Sequence, residues 1–173
     1  REPVGKVGEQ LANSIQPVNW VICLQILKSV YTIYRHTDQG KTLMLATSLA
    51  PATKSTAATG LRTAVSILDR WGATGEQGEA ILRVSHSTYA RAKRKTGLQS
   101  VNLDRDQLTR ISFVLNIHAA LRVIFDNPDN VYGFMRMPNH NEFFHGRSPL
   151  EVMSSGDMVA VYEAFRRIDA LRG

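Results

Sequence analysis

One stretch near the end of the chain constrains its local structure most, because it carries both a start signal and a stop signal for a helix. The Ser148 hydroxyl is placed to accept an amide hydrogen of the first turn, and Pro149 suits the first helical position. Glu151 has the spacing that closes a capping box with Ser148. Gly146 and Gly156 flank the segment and permit backbone with positive φ. The sequence therefore predicts a helix of only a turn or two that begins at Pro149.

A longer amphipathic helix is predicted after this short one. Met158, Val161, Phe165 and Ile168 recur at the spacings of three and four residues that form one helical face. The other faces carry charged side chains, namely Glu163, Arg166, Arg167 and Asp169. An apolar face of this kind packs either in the core of its own domain or against another protein.

The composition restricts the class of protein but not its activity. With 173 residues, 43% of them hydrophobic, the chain can form one domain or two small ones with a buried core. A net charge of +6 suits a polyanionic partner and is also found in basic enzymes. The single cysteine, Cys23, rules out an intrachain disulfide framework and favours a cytoplasmic location. Polar residues interrupt the apolar stretch 18–34, so we expect no membrane span.

The first 55 residues give no clear secondary-structure signal. Apolar residues in 20–26 alternate as in a strand, whereas those in 27–34 have helical spacing. Most residues of 47–57 are small or polar, and the stretch includes Pro51, a composition typical of a flexible link. We therefore interpret residues 1–55 as a poorly defined N-terminal extension and linker, with Met44 as a candidate natural start.

The pattern becomes clearer after this linker. Leu61, Val65, Leu68 and Trp71 mark one face of a helix, and Gly72 is suited to end it. The sequence predicts a first helix whose apolar face belongs to a core.

A pair of short helices is predicted next. Thr74 and Gln77 have capping-box spacing at the start of one helix, and Ser85 is placed to cap the other. The second of the pair runs from His86 to about Lys95 and is basic. Two short helices joined by a turn of three to four residues, the second helix being basic, are typical of a helix-turn-helix.

The second helix of this pair has residues suited to DNA. Polar side chains at its N-terminal end match base edges or phosphates, namely Ser85, His86, Ser87 and Thr88. Cations follow that match phosphates, namely Arg91, Lys93, Arg94 and Lys95. The alternative is a basic face exposed to water, as most runs of charge are. The agreement of helix lengths, caps and charge favours DNA contact.

The rest of the chain is also predicted to be helical. Asp104 and Gln107 form a further capping box before an amphipathic helix. Another helical run covers 117–125, Pro128 stops it, and a short helix lies near 130–135. Because no strand-like run follows the linker, the predicted fold class is all-α.

The segment before the capped helix contains residue types that occur in metal sites and in nucleophilic sites. His140, Glu142 and His145 lie close in sequence, but they lack the His-Glu-x-x-His spacing that binds zinc on one helical face. Ser148 near His145 resembles a nucleophile and base, but no third group is placed to orient the pair. We expect no catalytic residue, no metal and no cofactor.

The C-terminal stretch resembles the toxin-binding domain of the Xre/MbcA/ParS antitoxins. The residues that carry the resemblance are Asn141, Phe144, Gly146, Arg147, Ser148, Pro149, Leu150, Glu151, Met153, Gly156, Asp157, Arg166, Arg167, Asp169, Arg172 and Gly173. The predicted helix-turn-helix resembles the Xre-like domain of the same family. It departs from the family pattern at Glu79, where alanine is usual, and at Arg83, where the turn usually has glycine.

The resemblance implies an all-α antitoxin of a type II toxin-antitoxin system. It implies a helix-turn-helix module over about 56–116, followed by a small helical toxin-binding module over about 117–173. It further implies a toxin that is most often a RES-domain enzyme that consumes NAD, inhibition by the C-terminal end, repression of its own operon, and a homodimer. The residues expected to bind the toxin are Phe144, Arg147, Leu150, Met153, Arg166, Arg167, Arg172 and Gly173.

Two alternatives belong to other classes of protein. One is a stand-alone helix-turn-helix transcriptional regulator whose C-terminal domain only dimerises or senses a signal. The other is a small hydrolase that uses His140, Glu142 and His145 and requires a bound metal. A neighbouring gene for a toxin distinguishes the antitoxin from the stand-alone regulator.

Overall fold

The computed structural model describes residues 53–94 and 98–172, and this part of the chain is helical. The helices are α1 (Lys54–Arg70), α2 (Gly75–Leu82), α3 (His86–Lys93), α4 (Arg105–Ile124), α5 (Pro128–Gly133), α6 (Pro149–Met153) and α7 (Met158–Asp169), with 3-10 turns at Phe134–Arg136 and Ala170–Arg172. No β-strand occurs within the described ranges. The predicted all-α class is therefore confirmed.

Helix α1 begins earlier than the sequence predicted. The Thr53 hydroxyl caps it by accepting the Thr56 amide at 3.2 Å, and Ala57 is already buried. The prediction of a flexible link is therefore wrong for 54–57, because the apolar face of the helix includes the small alanines there. The predictions for residues 1–52, including the candidate start at Met44, lie outside the described residues.

The core forms around α4, against which α1 and α7 pack. Ile111, Val114, Ile117 and Leu121 of α4 are completely buried. The sequence predicted two helical runs here, but the structure joins them into one helix of 20 residues. Nothing between the two runs breaks a helix, and packing on both sides favours a continuous one. The predicted boundary between modules at 116–117 falls inside α4, and the module limits stay a prediction.

Local capping determines where several helices begin. The capping boxes of Thr74 with Gln77 and of Asp104 with Gln107 are both formed, as predicted. At α6 the Ser148 hydroxyl accepts the Glu151 amide at 3.2 Å, so the predicted cap is present, whereas the return bond from the Ser148 amide to the Glu151 side chain that would complete the capping box is not formed. Gly156 has φ +74°, and the turn that it forms ends the short helix as the sequence indicated.

Among the described residues, no helix is both long enough and apolar enough to cross a membrane.

Candidate DNA- and toxin-binding sites

The turn between α2 and α3 is held by contacts with α4. Arg83 lies in the left-handed region with φ 53° and ψ 42°, a conformation that glycine adopts at no steric cost. Its guanidinium pairs with Asp104 and, at 2.6 Å, with Asp106. Its carbonyl oxygen accepts a hydrogen bond of 2.8 Å from Gln107 Nε2. The position therefore has the backbone that favours glycine, and the arginine adds ion pairs that a glycine cannot make.

Helices α2 and α3 approach each other at Gly78 and Tyr89. A Cβ atom at Gly78 would lie 2.5 Å from Cε2 and Cζ of Tyr89, and closer still to its hydroxyl. Tyr89 is 4% exposed, and burial raises the pKa of its hydroxyl to about 12. The close helix contact therefore depends on Gly78, and the glycine usual at position 83 and the alanine usual at position 79 are not needed for it.

Helix α3 divides its side chains between the core and the surface. Tyr89 and Ala92 face the core. Ser85 caps the helix by accepting the Thr88 amide at 3.3 Å, and its hydroxyl also bonds that of Thr88 at 2.9 Å. Both hydroxyls therefore already take part in the cap. Of the residues predicted to bind DNA, those of the helix and its C-terminal cap that are exposed are His86, Ser87, Arg91, Lys93 and Arg94. Lys95 lies outside the described residues.

The cations of α3 differ in their surroundings. Lys93 lies at the edge facing α1, and its Nζ is 2.6 Å from Oδ1 of Asp69. Arg91 and Arg94 lie on the outward side, where Arg91 Nε donates to the Ser87 carbonyl at 3.4 Å. Because a partner already offsets the Lys93 charge, Arg91 and Arg94 are the better placed phosphate ligands. Their contact with DNA stays a prediction.

An acid and an imidazole bridge the two helices at the N-terminal end of α3. Oε1 of Glu79 lies 2.7 Å from Nδ1 of His86. The His86 side chain is 85% exposed, whereas that of Glu79 is 20% exposed. In the sequence Glu79 stands out only as a departure from the family, because a pairing seven residues apart across a turn has no local signature.

The apolar residues that were predicted to contact the toxin lie in the core. Phe144, Leu150 and Met153 are exposed by 1%, 4% and 0% respectively. Helix α6 packs against α7 and the 3-10 turn Phe134–Arg136, so its apolar side chains fill that interface. In this arrangement the three side chains stabilise the domain, and their contact with the toxin stays a prediction.

The segment before α6 forms a closed loop that ends at Arg147. The Asn139 amide donates to the Arg147 carbonyl at 3.1 Å, and the Gly146 amide donates to the Asn139 carbonyl at 2.9 Å. His145 and Gly146 both have positive φ. Arg147 is exposed, in contrast to the buried apolar residues beside it. It remains available for a partner.

The cations of the C-terminal end are held by neighbours. The Arg167 guanidinium lies 4.6 Å from the centre of the Phe143 ring, and its Nη2 is 3.6 Å from Glu163. Arg166 Nε is 3.7 Å from the same carboxylate, and Arg172 pairs with Asp169. This end is therefore an ordered turn that packs against α4, and Gly173 lies outside the described residues.

Two exposed apolar side chains of α7 and the turn after it were missed in the sequence. Val159 and Leu171 are 64% and 56% exposed. Both lie off the apolar stripe formed by Met158, Val161, Phe165 and Ile168, and a single apolar residue on a polar face gives only a weak signal.

Two family comparisons cover most of the described chain. Residues 50–116 match the family "Antitoxin Xre-like helix-turn-helix domain", and residues 120–172 match "Antitoxin Xre/MbcA/ParS C-terminal toxin-binding domain". The chain belongs to the Xre/MbcA/ParS antitoxin family. It is also 32% identical over 108 residues to "Uncharacterized protein y4oB" of Sinorhizobium fredii (strain NBRC 101917 / NGR234), an overlap of 62% of this chain and 79% of that protein.

Membership of the Xre/MbcA/ParS family confirms the resemblance seen in the sequence. The chain combines a helix-turn-helix domain with a toxin-binding domain, the organisation of an antitoxin. Domains of these two families are not typically enzymes. Among the described residues, no group of three histidine, cysteine, aspartate or glutamate side chains is arranged to hold a metal ion.

Proposed function

We propose that this antitoxin neutralises a RES-domain toxin that degrades NAD and represses its own operon as a homodimer in the cytoplasm. The observation that carries the proposal is the presence, on one chain, of the Xre-like helix-turn-helix domain and the toxin-binding domain. Neither role requires a catalytic residue of the antitoxin itself. The helix-turn-helix module extends over about 56–116 and the toxin-binding module over about 117–173.

The DNA-binding half rests on the outward face of α3. Ser87, Arg91 and Arg94 share this exposed face, and His86 lies at the N-terminal end that enters the major groove in a helix-turn-helix. Ser85 and Thr88 fix the start of the helix, because the Ser85 hydroxyl accepts the Thr88 amide. A homodimer would place two such helices on the half-sites of a palindromic operator, about one turn of DNA apart.

The salt dependence of operator binding tests the proposed contact with DNA. Arg91→Gln and Arg94→Gln should each reduce the slope of log K against log salt by about one, because each phosphate contact releases a condensed counterion. Lys93→Gln is the matched control and should change the slope less, because Asp69 already pairs with this lysine. Binding that does not depend on salt, or no binding to the operon's promoter, would exclude the repressor role.

The toxin-binding half rests on the cations and exposed apolar residues at the C-terminal end. Arg166, Arg167 and Arg172 lie on α7 and the turn after it, and Leu171 is exposed beside Arg172. An enzyme that handles NAD must hold a pyrophosphate, so its pocket is lined by charged and polar groups. Arg172 can pair with a catalytic acid of the toxin in the same complex. The C-terminal end would then block the active site directly.

A truncation after Ala170 tests this mechanism in cells that express the neighbouring toxin gene. The shortened chain keeps the face of α7 that carries Phe165 and Ile168. We expect it to co-purify with the toxin and yet fail to protect cellular NAD. Full protection by the truncated chain would exclude the blocking mechanism. Toxin contacts elsewhere on the exposed surface, for example at Arg147 or at Val159, would then account for neutralisation. If no neighbouring gene product co-purifies with the full chain, the stand-alone regulator becomes the better account.

A further inference from the structure

We propose that Glu79 is a positioning residue for base recognition, because it orients His86 so that Nε2 of the imidazole faces the major groove as a hydrogen-bond acceptor. The inference rests on the proposed binding of operator DNA. It adds which bases the His86 ring would contact, namely those that present an amino group in the major groove.

The geometry of the pair fixes the orientation of the ring. Oε1 of Glu79 lies 2.7 Å from Nδ1 of His86, within hydrogen-bond distance. Glu79 belongs to α2 and is 20% exposed at its side chain, so it forms a fixed anchor on the scaffold. His86 is the first residue of α3, and its side chain is 85% exposed. The ring is therefore held at one nitrogen and open to solvent on the opposite side.

The chemistry of the pair fixes the tautomer. An ionised carboxylate only accepts hydrogen bonds, so the ring nitrogen that faces Glu79 must carry the hydrogen. In a neutral imidazole with Nδ1–H, Nε2 is an acceptor. Glu79 thereby determines which nitrogen of the imidazole is presented to DNA. Hydrogen-bond partners orient the histidine ligands of metal sites in the same way.

The position of His86 places that acceptor where a helix-turn-helix reads bases. Residues at the N-terminal end of the second helix contact base edges in the major groove. The hydroxyls of Ser85 and Thr88 bond each other at 2.9 Å, and the Ser87 hydroxyl lies 3.2 Å from that of Ser85, which leaves the exposed His86 ring as the best placed reader at this end. Adenine N6 and cytosine N4 are the amino donors in the major groove, whereas guanine and thymine present acceptors at the corresponding positions. His86 should therefore select adenine or cytosine at one position of each half-site.

The experiment is selection of operator variants from a randomised library by the full chain, followed by affinity measurements at neutral pH or above. We expect the wild-type chain to prefer adenine or cytosine at one position of each half-site. In His86→Ala the ratio of affinities for the preferred and the other bases at that position should fall by about five- to a hundredfold. Glu79→Ala should lower the same ratio by at least about fivefold. Glu79→Gln should retain most of it, because the amide oxygen still accepts a hydrogen bond from Nδ1–H.

Glu76→Ala is the matched control, because Glu76 is an exposed acid on the same helix and its loss changes the net charge equally. It should raise affinity for all sequences slightly and leave base preference unchanged. The inference is overturned if Glu79→Ala behaves like Glu76→Ala. It is also overturned if Glu79→Ala lowers the stability of the protein but keeps the wild-type base preference. If the wild-type chain binds no member of the library, the repressor function fails and the inference fails with it.

Discussion

Arg110 donates a hydrogen bond of 2.9 Å from Nη1 to the carbonyl oxygen of Gly156. The same nitrogen donates to the Ile81 carbonyl at 3.1 Å, and Nε lies 2.9 Å from the Asp106 carboxylate. Arg110 is 4% exposed, so one buried guanidinium joins the end of α2 to the turn before α7. Ile81 and Arg110 lie in the part that matches the helix-turn-helix family, and Gly156 lies in the part that matches the toxin-binding family. The two functional regions therefore share a buried hydrogen-bonded contact.

Replacing Arg110 by methionine should lower the free energy of unfolding by about 2 to 4 kcal/mol. Two carbonyl groups lose their donor, and an unsatisfied buried polar group costs about 1 to 3 kcal/mol. Urea denaturation measures the change. Arg105→Met is the control, because Arg105 is exposed at the start of the same helix, and it should change stability by less than about 0.5 kcal/mol. Equal effects of the two substitutions would exclude the role assigned to Arg110.

Replacing Gly78 by alanine should destabilise the protein by about 1 to 3 kcal/mol, even though alanine is the better helix former. The added Cβ would collide with the buried ring of Tyr89, and overpacking of this kind costs more than the gain of about 1 kcal/mol in helix propensity. Gly75→Ala is the matched control in the same helix, because its Cβ would meet nothing closer than 3.9 Å. It should be neutral or stabilising, as measured by thermal unfolding. A stabilising Gly78→Ala would contradict the close contact.

Two substitutions at Arg83 should separate the cost of its backbone conformation from the value of its ion pairs. Arg83→Gly and Arg83→Val both remove the pairs with Asp104 and Asp106, which are partly exposed and contribute little. Glycine adopts φ 53° freely, whereas a β-branched side chain does not. We expect Arg83→Gly to stay within about 1 kcal/mol of the wild type, and Arg83→Val to be less stable than Arg83→Gly by about 1 to 2 kcal/mol. Equal stabilities in chemical denaturation would show that this turn changes its backbone freely.

His118 should make the protein sensitive to acid. Burial, followed by the charges of Arg122 and Arg70, lowers the pKa of His118 from 6.5 to about 4. The unfolded chain therefore binds the proton more readily than the folded chain, and stability is lost as pH falls from about 6.5 towards 4. The loss between pH 7 and pH 5 should be about 2 kcal/mol.

The variant His118→Phe tests this linkage, because a phenyl ring can keep the stacking on Tyr132, whose ring centre lies 5.5 Å from that of His118. Urea denaturation at pH 7 and pH 5 should show a smaller loss in the variant than in the wild type. His140→Gln, at an exposed position, should show the same loss as the wild type. An equal loss in all three proteins would assign the acid sensitivity to other groups.

Much of the fold was predictable because its signals are local in the sequence. The caps at Thr74, Ser85, Asp104 and Ser148 each join groups three residues apart, so residue type and spacing suffice to identify them. The apolar face of α1 and the left-handed turn at Gly156 follow from helical periodicity and from the conformational freedom of glycine in the same way. The start of α1 was misjudged because small residues suit both a linker and a tightly packed helix.

The assignment of side chains to the core or to a partner depended on contacts between distant parts of the chain. The apolar residues Phe144, Leu150 and Met153 looked suited to a toxin, and only the packing of α6 against its neighbours shows that they are buried. The pairs of Lys93 with Asp69 and of Glu79 with His86 likewise join residues on different helices. Sequence by itself determined where most helices begin and which family the chain resembles, because those signals involve neighbouring residues. The tertiary structure decided which charges are paired and which apolar faces are covered, because burial is a sum over atoms from segments that meet only when the chain is folded.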